Sequence, residues 1–241
     1  MSRLNTLKNI EMKKLLIVLF GLSMIVFTKA QNHVTVGDSM KIFSLKSTDG
    51  GIISLSDFHG KNVMIVFPRG KVGDHWCQIC HYQYAELSDM QQKQDFEKKY
   101  NLKVLVILPY SEAEVKHWVE IFPSQLQIID KWKNPEKLEG LTKGETDWMY
   151  FSRKLFPKKF NYPPTGYPMP FPVLIDIDHK FSSELGIFTN NWDGSTVDQN
   201  ISSIYIVDKN GILKFKYNSQ STIDRPKPEY LFEVIERLVN N

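Results

Sequence analysis

Val63-Met64-Ile65-Val66-Phe67-Pro68 and, one loop later, Trp76-Cys77-Gln78-Ile79-Cys80-His81 decide how this chain is to be read. The first is an unbroken apolar run stopped by proline, the pattern of a strand buried on both faces. The second holds the only two cysteines in 241 residues. After it Tyr84, Leu87, Met90, Phe96 and Tyr100 recur near helical spacing, while Gln91 to Asp95 and Glu97 to Lys99 supply a wet face, so a helix is expected through about Tyr100. Two thiols three positions apart at a strand-to-helix transition form a sulfur site before anything else.

Outward from this stretch the same alternation continues. Lys103 to Pro109 reads as a second buried strand, and Ser111 with Glu114 forms a capping box ahead of a helix with Val115, Trp118, Val119 and Phe122 on one face. Strand, crossover helix and strand imply parallel pairing. Before the first run, Lys41 to Leu45 and Ile52 to Leu55 read as a hairpin turned by Asp49-Gly50-Gly51, followed by a one-turn connector over Ser56 to Lys61. After it come a strand at Pro172 to Asp176 and a short helix at Lys180 to Leu185. An antiparallel pair, Ile201 to Val207 with Ile212 to Tyr217, turns at Asp208-Lys209-Asn210-Gly211, and a last helix runs from about Glu229 to Val239. The fold class is α/β, a central mixed sheet flanked by helices.

From about 123 to 169 the alternation breaks. Trp132, Trp148, Tyr150, Phe151, Phe156, Phe160, Tyr162 and Tyr167 mark an aromatic-rich insertion, with one helix expected around Pro135 to Phe156. It reads either as a packed surface elaboration or as a lid or partner-docking groove beside the thiols.

Residues 1–30 stand apart: Lys13-Lys14 lead into an apolar run from Leu15 to Phe27, then Thr28-Lys29-Ala30, the layout of a secretory signal peptide. Met12 is a second candidate start. The run is shorter than a membrane span needs, so no stable span is expected once it is removed. The domain proper is then 31–241, exported to a periplasmic or extracellular space. Removal leaves 25 basic against 26 acidic residues, a net −1 in place of +3, so the basic pI of about 8.6 implies no nucleic-acid partner.

At a helix start the unpaired amides stabilise a thiolate. Cys77, the outer cysteine, is then the expected nucleophile, and Cys80, one turn inside, the resolving thiol that forms the Cys77–Cys80 bond. Trp76 would shield the sulfurs and offer a flat surface to a partner. A structural disulfide is the bland alternative, although so short a loop is a poor staple. Cys77-Gln78-Ile79-Cys80-His81 also fits the c-type haem attachment pattern. A zinc site would need His75 and His81 on both sides of the pair, an awkward tetrahedron, and solvated polar residues are the simpler reading of both. No cofactor and no metal are expected.

The order of these pieces resembles the thioredoxin-like redoxins, in particular the alkyl-hydroperoxide-reductase/thiol-specific-antioxidant branch that includes peroxiredoxins. The matching segments are Leu55-Ser56-Asp57-Phe58-His59-Gly60-Lys61, Phe67-Pro68-Arg69-Gly70, Trp76-Cys77-x-x-Cys80, Gln83-Tyr84-Ala85-Glu86-Leu87, Phe171-Pro172-Val173-Leu174 and Tyr205-Ile206-Val207-Asp208-Lys209-Asn210-Gly211. The resemblance implies a thioredoxin-like fold and an oxidoreductase, with a protein or small-molecule disulfide or a peroxide as substrate and a thiol as electron donor. The peroxidase motif Pro-x-x-x-Thr-x-x-Cys is not restored in either register: Gly70 and Asp74 precede Cys77, and Gly73 and Cys77 precede Cys80. Ile201-Ser202-Ser203-Ile204 stands where relatives carry an Arg and a cis-proline. Thiol–disulfide exchange is therefore expected ahead of peroxide reduction, with a non-catalytic binding module as the reading from another class. Arg69 or Arg225 is the candidate substitute for the family's Arg, and Asp74 would raise the thiol pKa by like-charge repulsion.

Overall fold

The computed structural model of the chain describes residues 33–161 and 167–239; the signal-like segment, Tyr162 and Pro163-Pro164 lie outside them. Residues 33 onward form one body. In chain order the strands are β1 (Ser44–Ser47), β2 (Ile52–Ser54), β3 (Asn62–Phe67), β4 (Lys71–Val72), β5 (His75–Trp76), β6 (Leu102–Leu108), β7 (Val173–Ile175), β8 (Phe188–Thr189), β9 (Gln199–Asn200), β10 (Ser203–Val207) and β11 (Leu213–Asn218). The helices are α1 (Gln78–Gln94), α2 (Phe96–Lys99), α3 (Glu112–Glu120), α4 (Phe122–Lys133), α5 (Lys143–Leu155), α6 (Lys180–Glu184) and α7 (Pro228–Val239).

Seven strands form one mixed sheet in the order β11-β10-β3-β6-β7-β1-β2, with β3, β6 and β7 parallel at the centre and antiparallel neighbours on either side. The unbroken apolar runs are explained by what covers them. In β3, Met64 and Val66 join the cluster under α1, α3, α4 and α7, while Val63, Ile65 and Phe67 join the opposite cluster with Phe43, Phe181 and Leu185. In β6, Val104, Val106 and Leu108 divide from Leu105 and Ile107 in the same way. A strand whose successive side chains point to opposite faces must be apolar throughout when both faces are covered.

Three local expectations are corrected. The cysteine helix does not run unbroken to Tyr100: it ends at Asp95, which is left-handed (φ 45°), and restarts as α2. Asp tolerates that conformation, and Gln91 holds the break by donating to the Asp95 carboxylate (2.9 Å) and accepting the Glu97 amide (3.0 Å). The turn swings Phe96 into the core against Phe171 and Phe232. The helix capped by Ser111 is interrupted at Ile121, and the insertion holds α4 and α5 in place of one helix at Pro135 to Phe156.

The described part of the insertion packs one side against α1 and leaves Trp148, Tyr150 and Phe151 exposed. Trp132 meets Trp148 (5.4 Å) and Phe156 (6.1 Å), and Tyr82 of α1 packs edge-on to Phe156 (4.9 Å) and Phe160 (5.2 Å). Phe156 and Phe160 thereby form an outer layer on the cysteine helix.

Candidate active site

Strand β3 ends at Phe67, and Pro68-Arg69-Gly70 turns the chain toward the cysteines. Gly70 has φ +85°, and a Cβ there would lie 2.3 Å from the Tyr110 ring, so glycine is required twice over. Its carbonyl accepts the Cys77 amide at 2.8 Å, and Tyr110 Oη accepts the Lys71 amide at 2.9 Å. Between these points β4 and β5 pair as a small antiparallel ribbon with Gly73-Asp74 at its tip. Cys77 is the N-cap of α1, still extended (φ −70°, ψ 106°), and Cys80 lies in the first turn, its amide donating to the Cys77 carbonyl at 3.1 Å. Both cysteines are free and buried.

The two sulfurs are unequal. Interaction with the Cys80 side chain and burial push the Cys77 thiol well above its ordinary range. Burial also opposes ionisation of Cys80, but the interaction with Cys77, the charge of Arg225 and the backbone amides of Gly70 and Arg69 outweigh it and lower Cys80 to about 5. The surroundings thus favour the thiolate at Cys80 and oppose it at Cys77, while the helix-start amides favour an anion at Cys77.

The supporting residues divide. Arg69 is only 1% exposed. Its Nε donates to Gln199 Oε1 (2.6 Å), its Nη2 to the Trp192 carbonyl (2.9 Å) and its Nη1 to Thr222 Oγ1, so every nitrogen is committed to the chain itself. Trp76 is 7% exposed and packs edge-on to Tyr110 at 5.2 Å, so it walls the sulfurs but presents no flat face to a partner. Asp74 is fully exposed at the ribbon tip and meets His75 at 3.3 Å; the groups that act most strongly on the sulfurs do not include it.

His81 is not solvated, as the sequence reading had it, but fully buried. It stacks on Trp118 at 4.4 Å, with Nδ1 3.1 Å from the Cys77 carbonyl and Nε2 3.1 Å from the Trp118 carbonyl. Burial lowers it to about 4 against the pull of those two oxygens. Both nitrogens face backbone, so neither is turned toward a haem or metal. Among the described residues no group of three or more His, Cys, Asp or Glu could hold a metal ion.

Sequence reasoning named Arg225 only as an alternative, yet its charge acts on both sulfurs. It missed Tyr110 and Gln199, which fix the loop that carries Arg69 and Gly70. Only Gly70 gave a local signal, a glycine in the Pro68-Arg69-Gly70 turn that follows a buried strand.

A sequence profile of the AhpC/TSA family matches residues 36–130. A search of curated protein sequences gave no match. Among solved structures, the chain is similar to the reduced 2-Cys peroxiredoxin of Plasmodium vivax (TM-score 0.53, 14% identity, 85% of this chain and 82% of that one). It is also similar to AhpC of Mycobacterium tuberculosis (TM-score 0.53, 15% identity, 86% and 93%) and to the mitochondrial 2-Cys peroxiredoxin of Plasmodium falciparum (TM-score 0.51, 15% identity, 86% and 95%). At such identities the structures speak for the fold, and the profile speaks for residues 36–130. Together they give residues 36–130 a likeness to the AhpC/TSA family and the chain a thioredoxin-like fold similar to that of these peroxiredoxin structures.

Proposed function

We propose that the chain is an exported thiol–disulfide oxidoreductase whose redox pair is Cys77 and Cys80. The observation that supports this most is the placement of the pair: two free, buried cysteines in the first turn of α1, with backbone amides and Arg225 favouring an anion there. Lowering a thiol from its ordinary range to about 5 keeps it ionised at neutral pH, the condition for attack.

In the reaction the thiolate attacks one sulfur of a disulfide RS–SR. A mixed disulfide forms, and the departing thiolate takes up a proton as RSH. The second cysteine attacks the mixed disulfide, loses its proton to the second leaving thiolate, and closes the Cys77–Cys80 bond. The dithiol gives up two electrons and two protons, and RS–SR becomes two RSH; a thiol donor reverses the step to regenerate the enzyme.

The helix-start argument gives the first attack to Cys77 and resolution to Cys80, whereas the surroundings that lower the Cys80 thiol and raise the Cys77 thiol favour the opposite order. Trapping with an aromatic disulfide separates the two. An adduct on Cys80 in the Cys77→Ser variant is expected. An adduct confined to Cys77 in Cys80→Ser restores the other order, and no adduct in either variant rejects the exchange reading.

Peroxide reduction is the second reading, favoured by the AhpC/TSA match and by the peroxiredoxins among the similar structures. The thiolate would then attack one oxygen of ROOH, giving a sulfenic acid and ROH, and the second thiol would form the disulfide and release water. Stopped-flow oxidation of the reduced protein ranks the two. Faster reaction with a disulfide than with hydrogen peroxide is expected, and the reverse, with a sulfenate trapped on one cysteine, makes the chain a peroxidase. Export rests on residues 1–30 and is tested by N-terminal sequencing of protein recovered outside the cytoplasm, where a start at Gln31 is expected.

A further inference from the structure

Along the outer side of α1 runs a groove of about 280 Å³, walled by Ile79 and Gln83, by the chain leaving α5 and by the segment around Arg225. Gln83 follows Cys80 by three positions, so both lie on neighbouring parts of one helical face. Arg225 stands between groove and sulfurs: it lines the first and its charge acts on the second. Its Nη1 is fully used, donating to Ser219 Oγ (2.9 Å) and to the carbonyls of Ser221 (3.1 Å) and Asp224 (2.9 Å). Its Nε and Nη2, the two parallel donors of the guanidinium edge, are buried without a partner, and so is Gln83 Nε2. Unpaired buried donors are uncommon because each has given up its water, and a fork of two parallel N–H groups matches the two oxygens of a carboxylate.

The surrounding charge agrees. Lys154, Lys158 and Lys227 join Arg225 around the groove, against Glu86 and Glu229. Lys158 reaches both acids, at 3.5 Å and 3.3 Å, and burial pushes Glu86 up to about 7, so its charge is partial near neutral pH. The volume fits a small molecule better than a folded partner.

We propose that this groove binds a carboxylate carried close to the sulfur of a low-molecular-weight disulfide, seated on the Nε–Nη2 edge of Arg225 and the side-chain amide of Gln83. The proposal rests on the disulfide-exchange reading of Cys77 and Cys80 and names its substrate class.

The test compares 3,3′-dithiodipropionate, a dianion, with the neutral 2-hydroxyethyl disulfide. Each rate of oxidation of the reduced protein is divided by the rate of the same disulfide with free cysteine. The dianion is expected to be favoured about tenfold, the worth of one charge-assisted hydrogen-bond pair. That preference should fall toward unity in Gln83→Leu and Arg225→Lys, which keep the net charge, and survive in Lys143→Gln, which changes it at the exposed start of α5. Equal rates in the wild type, or a preference untouched by Gln83→Leu and Arg225→Lys, would overturn the subsite. Calorimetry with suberate, the sulfur-free analogue, separates this from the chemistry. Binding that Gln83→Leu abolishes supports the subsite even if no disulfide reacts, and absence of suberate binding refutes it even if disulfides do.

Discussion

Arg69 and Arg225 are both in electrostatic contact with the Cys77–Cys80 pair, but they are held in opposite ways. Arg69 sends all its nitrogens to acceptors of its own chain, Gln199, Thr222 and the Trp192 carbonyl. Arg225 is fixed through Nη1 alone and keeps its Nε–Nη2 edge bare. A guanidinium whose donors are all answered internally cannot turn to a ligand without breaking the fold, whereas one anchored at a single nitrogen is rigid and still able to receive. The first ties the loop after β3 to β9 and the 220s; the second faces the chemistry.

Replacing Arg69 is the severest way to break this contrast. Arg69→Met leaves the buried Gln199 Oε1 without its donor, removes one of the two donors to the Trp192 carbonyl, and should cost about 3 to 5 kcal/mol. Urea unfolding measures it, and a loss below 1 kcal/mol would show Arg69 to be no anchor.

His81 extends the comparison to a polar group packed between aromatic rings, with both ring nitrogens facing backbone carbonyls. Its folded pKa is lowered from 6.5 to about 4, so between those values the unfolded chain takes up a proton that the folded chain refuses. Stability from this group is complete above pH 6.5 and is lost as pH falls toward 4, by about 3 kcal/mol. Unfolding free energies at pH 7 and pH 4.5 should differ by markedly less in His81→Phe than in the wild type. Equal differences would mean that His81 ionises freely in the folded state.

The cysteine motif was legible because two thiols three apart are a local signal, and β3 and β6 were legible because burial on two faces leaves no room for polar residues. The distribution of charge within the pair was not. It depends on the amides of Arg69 and Gly70, aimed at Cys80 by the turn that Tyr110 holds, and on Arg225, brought in from the far end of the chain. His81 was misread for the same reason: its second acceptor is the Trp118 carbonyl, 37 positions away, and nothing near His81 announces it. Asp95 shows the converse, a helix break hidden inside a good helical pattern because Asp adopts the left-handed conformation at modest cost.

Smaller effects sharpen the role of Arg225. Arg225→Gln removes the cation, and its acceptors are only part-buried where Gln199 Oε1 of the Arg69 site is buried, so stability should change less than in Arg69→Met. The thiolate absorbance at 240 nm, titrated in the reduced protein, should shift to higher pH by about one unit, roughly 1.4 kcal/mol in favour of the thiol. An unmoved titration would leave the anion to the amides alone.

The smallest expected effect is at Asp74. The sequence places a carboxylate three residues before Cys77, and at that range like-charge repulsion would raise a thiol pKa. The β4–β5 ribbon instead carries Asp74 to its exposed tip, in contact with His75, where solvent and salt screen its field, while the charge of the pair rests on a buried sulfur behind Trp76. Asp74→Asn should therefore leave the 240 nm titration where it is, within about 0.2 of a unit, at low and at high ionic strength alike. A downward shift confined to low salt would show that the carboxylate reaches the sulfurs after all and that a third charge must join the two arginines in setting which cysteine is the anion.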